Sequence, residues 1–116
     1  MKILIVDDND TMRSFLRRAM QSSGFGDHDY EEAADGEEAL KVVDETSPDV
    51  VLADWDMPGM NGIELMQKLG EREAEIKFGL VTAENTPEMR KSAAEAGASF
   101  FISKPFTARS FRDALS

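Results

Sequence analysis

Apolar residues along the chain follow two alternating patterns. The first is a short β-prone run, seen as "KILIV" at 2–6, "DYEEA" at 29–33, "DVVLA" at 49–53, "KFGLV" at 77–81 and "SFFIS" at 99–103. The runs at 2–6, 49–53 and 99–103 are almost continuously apolar, as expected for strands covered on both faces. The run at 29–33 is mostly polar and gives the weakest strand signal of the set.

The second pattern has a helical period. Met12, Phe15, Leu16, Ala19 and Met20 fall at i, i+3, i+4, i+7 and i+8, which predicts one apolar helix face. Asp10 or Thr11 is expected to cap that helix and Gly24 to end it. Ala39, Leu40 and Val43 predict a second helix, stopped before Pro48. Ile63, Met66 and Leu69 predict a third. Thr86 followed by Pro87 reads as a cap with proline at the first helical position, and Gly97 closes that fourth helix. Thr107 is expected to cap a fifth, with Phe111, Ala114 and Leu115 facing inward.

Five strands alternating with five helices predict an α/β domain over residues 1–116, a parallel sheet with helices on both faces. In such a sheet, ligands sit beyond the carboxyl ends of the strands. The residues found there carry chemistry. Asp7 and Asp8 follow the first run, Asp54 the third, Thr82 ends the fourth and Lys104 ends the fifth.

Charge narrows the partners. The 116 residues include 23 acidic and 13 basic side chains, a formal net of -10, which argues against direct binding to nucleic acid or an anionic membrane. The absence of cysteine excludes disulfides and thiolate metal sites and fits a reducing cytoplasm. The opening apolar run is too short for a signal peptide or a span of roughly 20 residues. A soluble, cytoplasmic, monomeric chain is expected.

Two carboxylates about 4 Å apart repel by roughly 4 kcal/mol at an effective dielectric of 20, so three of them together call for protons or a cation. Mg2+ takes oxygen ligands, commonly one or two carboxylates with waters and a phosphate oxygen. Asp8 and Asp54 suit direct ligation and Asp7 a water-mediated role. Asp54 is the candidate nucleophile for a phosphoryl group, Lys104 a compact positive charge beside it, and Thr82 a hydroxyl donor. Singly, each feature has a plain reading: an Asp pair caps helices, a threonine suits a strand end, and a Lys-Pro step is uninformative. Their joint order along four strand ends points to phosphoryl chemistry.

The other conspicuous residues read as structural. His28 lies in a polar stretch and is expected to be a solvated loop residue. Trp55, Met57 and Met60 read as packing, with Met57-Pro58-Gly59 and Asn61-Gly62 forming a loop that shapes the pocket wall. Glu31, Glu32, Glu37 and Glu38 are expected to be a solvated face. A rival class is also visible. Asp54-Trp55-Asp56 matches the Asp-x-Asp pattern of haloacid-dehalogenase-type phosphatases, but that alternative leaves Asp7 and Asp8 unexplained.

The segments "VDDNDTMR", "ADGEEAL", "ADWDMPGMNGIEL", "VTAE", "AGAS" and "KPFTA" together resemble the receiver domains of two-component response regulators, most closely the single-domain chemotaxis members. The resemblance spans nearly the whole chain. It implies a flavodoxin-like (βα)5 three-layer sandwich with a five-stranded parallel sheet in the order 2-1-3-4-5. It implies phosphorylation on Asp54, an acidic pair for Mg2+ at Asp7 and Asp8, and a further metal ligand in the backbone carbonyl of Asp56. Thr82 resembles the switch hydroxyl, Lys104 the phosphate-binding lysine, Phe101 the switch aromatic, and Lys104-Pro105 a cis peptide.

Phosphorylation would then draw Thr82 toward Asp54, let Phe101 turn inward and reshape the surface of the fourth helix, fifth strand and fifth helix. The implied partners are a sensor histidine kinase as donor and, as targets, a flagellar motor switch protein and a phosphatase. The implied activity is that of a switch, not of an enzyme: it catalyses only its own phosphotransfer and autodephosphorylation. A receiver cut from a larger regulator, and a receiver-like binding module that takes no phosphate, are the alternatives. Intact Asp7, Asp8, Asp54, Thr82 and Lys104 argue against the second. Two positions depart from the family's chemotaxis members. Phe101 stands where tyrosine is frequent, and Asp56 where an amide is common. Glu84, two residues past Thr82, is a further acid near the pocket.

Overall fold

A computed structural model describes residues 2–25, 28–71, 76–84, 86–104, 106 and 108–115. Its elements are β1 (Lys2–Val6), α1 (Asp10–Met20) continued by a π-turn over Gln21–Phe25, β2 (Asp29–Ala33), α2 (Gly36–Thr46), β3 (Val50–Asp54), α3 (Gly62–Gly70), β4 (Lys77–Thr82), α4 (Pro87–Glu95), β5 (Phe100–Ser103) and α5 (Ala108–Leu115). The strands form one parallel sheet in the order β2-β1-β3-β4-β5. This is the flavodoxin-like three-layer arrangement.

Alternation along the strands divides the core between the two faces. Leu4, Val6, Val51, Ala53 and Leu80 pack with Ala39 and Val43 of α2, Leu65, Met66 and Leu69 of α3, and Ala93 of α4. Ile3, Ile5, Val50, Leu52 and Val81 pack with Leu16 and Met20 of α1 and Phe111 of α5. Each such side chain withdrawn fully from water contributes about 1.5–3 kcal/mol. The central strands β1 and β3 are buried throughout from Ile3 and Val50 onward. The polar run 29–33 does form a strand, because β2 is an edge strand whose exposure alternates and only Ala33 is fully buried.

The helix ends follow local chemistry. Asn9 caps α1, its side chain accepting from Met12 N at 2.9 Å. The cap is thus one residue ahead of Asp10 and Thr11, both of which already lie in the helix. Phe15, expected on the inner face, is 51% exposed. It sits about 100° around the helix from Leu16, at the margin of the apolar stripe, where the sheet no longer covers it. Gly24 lies within the π-turn with φ 106 and Gly97 follows α4 with φ 100, the positive values for which glycine is suited. Asn61 and Glu64 form a capping box at the start of α3. Thr86 caps α4 ahead of Pro87, as expected.

Strand limits differ from expectation by one residue at four places, the first being the start of β3 at Val50. β3 runs through Asp54, β4 runs through Thr82, and β5 starts at Phe100. The proposed cap Thr107, the Lys104-Pro105 peptide and the inward side chains of Ala114 and Leu115 lie outside the described residues. Among the described residues, no helix is long and apolar enough to cross a membrane.

Candidate functional site

Backbone bonds at the carboxyl edge of the sheet bring the chemical residues together. Beyond the last strand pairs, Asp7 N donates to Ala33 O at 3.1 Å, Trp55 N to Val81 O at 2.9 Å and Lys104 N to Thr82 O at 2.7 Å. Each bond extends a ladder by one residue, so Asp7, Asp54, Thr82 and Lys104 emerge along one line.

A contact between the end of the third strand and the residue after the fifth closes this edge: Lys104 Nζ lies 3.2 Å from Asp54 Oδ2. The other Asp54 oxygen accepts from Asp56 N at 3.2 Å. Asp7, Asp8 and Asp54 each offer a carboxylate oxygen, and these oxygens all lie within 4.8 Å of one another. Asp7 and Asp54 are buried, whereas Asp8 is exposed at the mouth.

The electrostatics of this cluster are unbalanced. Three carboxylates face one ammonium. Burial, reinforced by the charge of Asp54, pushes the Asp7 carboxyl up to about 6, against the opposing pull of Asn9 N–H and Lys104. Asp7 Oδ1 accepts from Asn9 N at 2.9 Å, but Asp7 Oδ2 is buried without a hydrogen-bond partner. An orphaned carboxylate oxygen is costly, and here it lies beside two further carboxylates. Clustered hard oxygen donors with one partner missing suit a divalent cation with bound water. The residues present therefore fit Mg2+.

The flanking residues divide. Thr82 is fully buried, and its hydroxyl oxygen accepts from Glu84 N at 3.2 Å. Asp56 and Glu84 are exposed at the rim. Phe101 stands apart from the carboxylates, half-buried, with its ring centroid 6.2 Å from that of Trp55 at 73°. The Arg90 guanidinium of α4 lies over the Phe101 ring, 5.2 Å from its centroid, within cation–π range. Trp55 and Met60 are partly buried packing residues and Met57 is buried, as expected. His28 is half-buried in the bend before β2.

Two contributions escaped the sequence, one of them at Gly62, read as pocket loop but found as the first residue of α3. Gly62 packs the start of α3 against the backbone at the end of β3: a Cβ there would meet Asp54 O at 2.7 Å and Leu80 Cδ2 at 2.7 Å. Glu32, expected on a solvated face, is half-buried and bridged to Arg13 at 3.0 Å and Arg17 at 3.3 Å. It points toward α1, where both arginines reach it. No spacing rule links an acid on an edge strand to arginines 19 and 15 residues away.

Known proteins share this architecture. The family model for the response regulator receiver domain matches residues 3–116. Chemotaxis protein CheY-3 of Vibrio cholerae is 39% identical over 99% of this chain and 88% of its own length. Chemotaxis protein CheY of Pseudomonas aeruginosa is 38% identical over 99% of this chain and 93% of its own. Among solved structures, Vibrio cholerae CheY4 superposes with a TM-score of 0.87 at 29% identity, covering 98% of this chain and 94% of that one. The signal receiver domain of the putative response regulator NarL from Mycobacterium tuberculosis superposes with a TM-score of 0.84, also at 29% identity, covering 98% and 91%. The chain belongs to the response regulator receiver domain family.

Proposed function

We propose that this domain is a phosphorylation-activated switch in which Asp54 accepts a phosphoryl group from a sensor histidine kinase. An Asp54 carboxylate oxygen bonds to phosphorus as the P–N bond of the donor phosphohistidine breaks, and the imidazole leaves with the electron pair. Lys104 offsets the charge of the phosphoryl oxygens, and the Thr82 hydroxyl donates to one of them. Asp8, Asp54 and the Asp56 carbonyl would hold Mg2+, and Asp7, whose buried Oδ2 lacks a partner, would hold it through a water. When bound, the ion neutralises phosphoryl charge and aligns the group for in-line transfer. The contact that carries this reading is Lys104 Nζ against Asp54 Oδ2, with the Asp7 and Asp8 carboxylates beside it.

The readout follows from packing. Thr82 moves toward the phosphoryl group, Phe101 turns into the vacated space, and the α4-β5-α5 surface changes. Without a tyrosine hydroxyl, Phe101 acts by shape and burial alone. The domain turns over no separate substrate beyond its own phosphotransfer and autodephosphorylation. The relatives favour a chemotaxis role in the cytoplasm, with a flagellar motor switch protein and a phosphatase as partners. The receiver of a larger regulator is the second reading, favoured by the likeness to the NarL receiver domain.

Acetyl phosphate with Mg2+ tests the core of this. Intact mass spectrometry should show the gain of one phosphoryl group, absent without Mg2+ and absent in Asp54→Asn. No gain in the wild-type chain sinks the proposal in favour of an unphosphorylated binding module. Repeated turnover of a small phosphate ester would favour a phosphatase instead.

A further inference from the structure

The acidic pair hangs on a brace that starts in the polar edge strand. Glu32 stands on β2 opposite Ile5 of β1, next to Ala33, whose carbonyl holds Asp7 N. Its carboxylate takes Arg13 Nε at 3.0 Å with one oxygen and Arg17 at 3.3 Å with the other. Arg13 is almost enclosed, its side chain 12% exposed. Its two terminal nitrogens donate to the main-chain carbonyl of Asp7 and to the carboxylate of Asp10. The first of these bonds falls on the peptide that joins Asp7 to Asp8. One planar guanidinium thus ties that peptide to β2 and to the first turn of α1.

We infer that Arg13, braced by Glu32, is a positioning residue for the acidic pair: it fixes the Asp7–Asp8 peptide and so sets where the two carboxylates present themselves to a divalent cation. This rests on the cation site proposed above. A guanidinium suits the task because its donors leave one rigid plane in fixed directions; an ammonium cannot hold three acceptors in that geometry. It also explains why β2 carries an acid at a half-buried position. The residue serves the site and not the core.

The sign of one measurement separates this role from simple charge. A positive group near a cation site lowers cation affinity through space. If Arg13 acted by charge alone, Arg13→Met would tighten Mg2+ binding. As a brace, its removal weakens binding by about tenfold, the range seen when groups that orient metal ligands are removed. Arg13→Lys keeps the charge and loses the fork, so it too should weaken binding, by a smaller factor. Arg17→Met shares Glu32 but not the Asp7 carbonyl and should leave affinity near that of the wild type.

Mg2+ titrations of the full chain, followed by Trp55 fluorescence, read all four proteins. Urea midpoints without Mg2+ check that each variant is folded. Weaker binding in both Arg13 variants with Arg17→Met unchanged supports the role. Arg13→Met binding as tightly as the wild type, or more tightly, overturns it. If Arg13→Met does not fold, Arg13→Lys decides alone, and wild-type affinity in that variant overturns the role. No Mg2+ response in the wild-type chain would instead remove the cation site, and this inference with it.

Discussion

Lys104 Nζ and Asp54 Oδ2 lie 3.2 Å apart across the carboxyl edge of the sheet, one from the end of β3 and one from just past β5. The pair is mostly shielded, with side chains 21% and 10% exposed, so the ammonium is a working part of the acidic cluster's balance. Lys104→Met leaves three carboxylates facing one another. In the absence of divalent cations the variant should lose about 1–3 kcal/mol, the scale of a charged hydrogen bond, as read by urea denaturation. Mg2+ should bind it more tightly, because the competing charge is gone. Phosphorylation by acetyl phosphate at saturating Mg2+ should nevertheless slow by at least about tenfold, since the phosphoryl oxygens lose a cation. Unchanged phosphorylation would show that Lys104 serves stability only.

Asp7 gives the pH dependence. Burial holds its folded-state carboxyl near 6, against an ordinary value of 3.8. The folded chain therefore binds this proton more readily than the unfolded chain. The associated stabilisation is full below about pH 4 and is lost as pH rises through 6. At pH 7.5 without metal, Asp7→Asn should be more stable than the wild type by about 1–3 kcal/mol, and its advantage should shrink steadily toward pH 4. Mg2+ should reverse the order at pH 7.5 by stabilising the wild type more. Matched thermal melts of both proteins across this range, with and without Mg2+, check it. A constant difference from pH 4 to 7.5 would mean that Asp7 keeps its ordinary affinity for protons.

Gly62 offers a packing test. An added methyl would meet Asp54 O at 2.7 Å, Leu80 Cδ2 at 2.7 Å and Trp55 Cα at 3.1 Å. Two of these atoms are backbone of the site itself and yield little. Gly62→Ala should cost about 1–3 kcal/mol by overpacking and also slow phosphorylation by displacing Asp54. Gly59 is the useful control. It has φ 77 but open space around its Cβ position, so Gly59→Ala should cost about 1 kcal/mol of backbone strain and leave phosphorylation near wild type. Urea midpoints and acetyl phosphate kinetics on the two variants separate the effects.

The fold was legible because its signals are local. The apolar runs of β1 and β3 and the spacing of Leu16 and Met20 state which faces are covered. Asp7, Asp54, Thr82 and Lys104 were legible because a parallel sheet makes strand ends converge, so sequence position becomes spatial position. Arg13 and Glu32 were not. Their pairing depends on how α1 lies across β2, and a helix crossing angle is set by packing and not by spacing. Phe15 failed for a related reason, since a helical wheel gives direction but not how far the sheet extends beneath it. Asn9 is the cap although its neighbours Asp10 and Thr11 are comparable capping types; only the extended backbone at Asn9 decides among them.

Thr82→Ala should separate phosphorylation from its readout. The Thr82 side chain is fully buried, and the hydroxyl oxygen accepts from Glu84 N at 3.2 Å, a bond that leaves the O–H able to donate to a phosphoryl oxygen at the same time. Phe101 is only half-buried and rests edge-on to Trp55 while Arg90 covers its ring. These two contacts link Phe101 to Trp55, the residue after Asp54, and to α4. In Thr82→Ala the Asp54 carboxylate and Lys104 remain, so acetyl phosphate should still add one phosphoryl group. The link to the ring should be lost. Phosphorylation-dependent changes in Phe101 ring resonances by NMR should fall to a small fraction of the wild-type response, and so should the resulting change at α4. Arg90→Met should do the converse. It leaves phosphoryl capture intact and frees the ring by about 0.5–1 kcal/mol, so that Phe101 turns inward more readily for the same degree of phosphorylation. A full ring response in Thr82→Ala would exclude the hydroxyl as the coupling element and direct attention to the Asp54–Trp55 backbone instead.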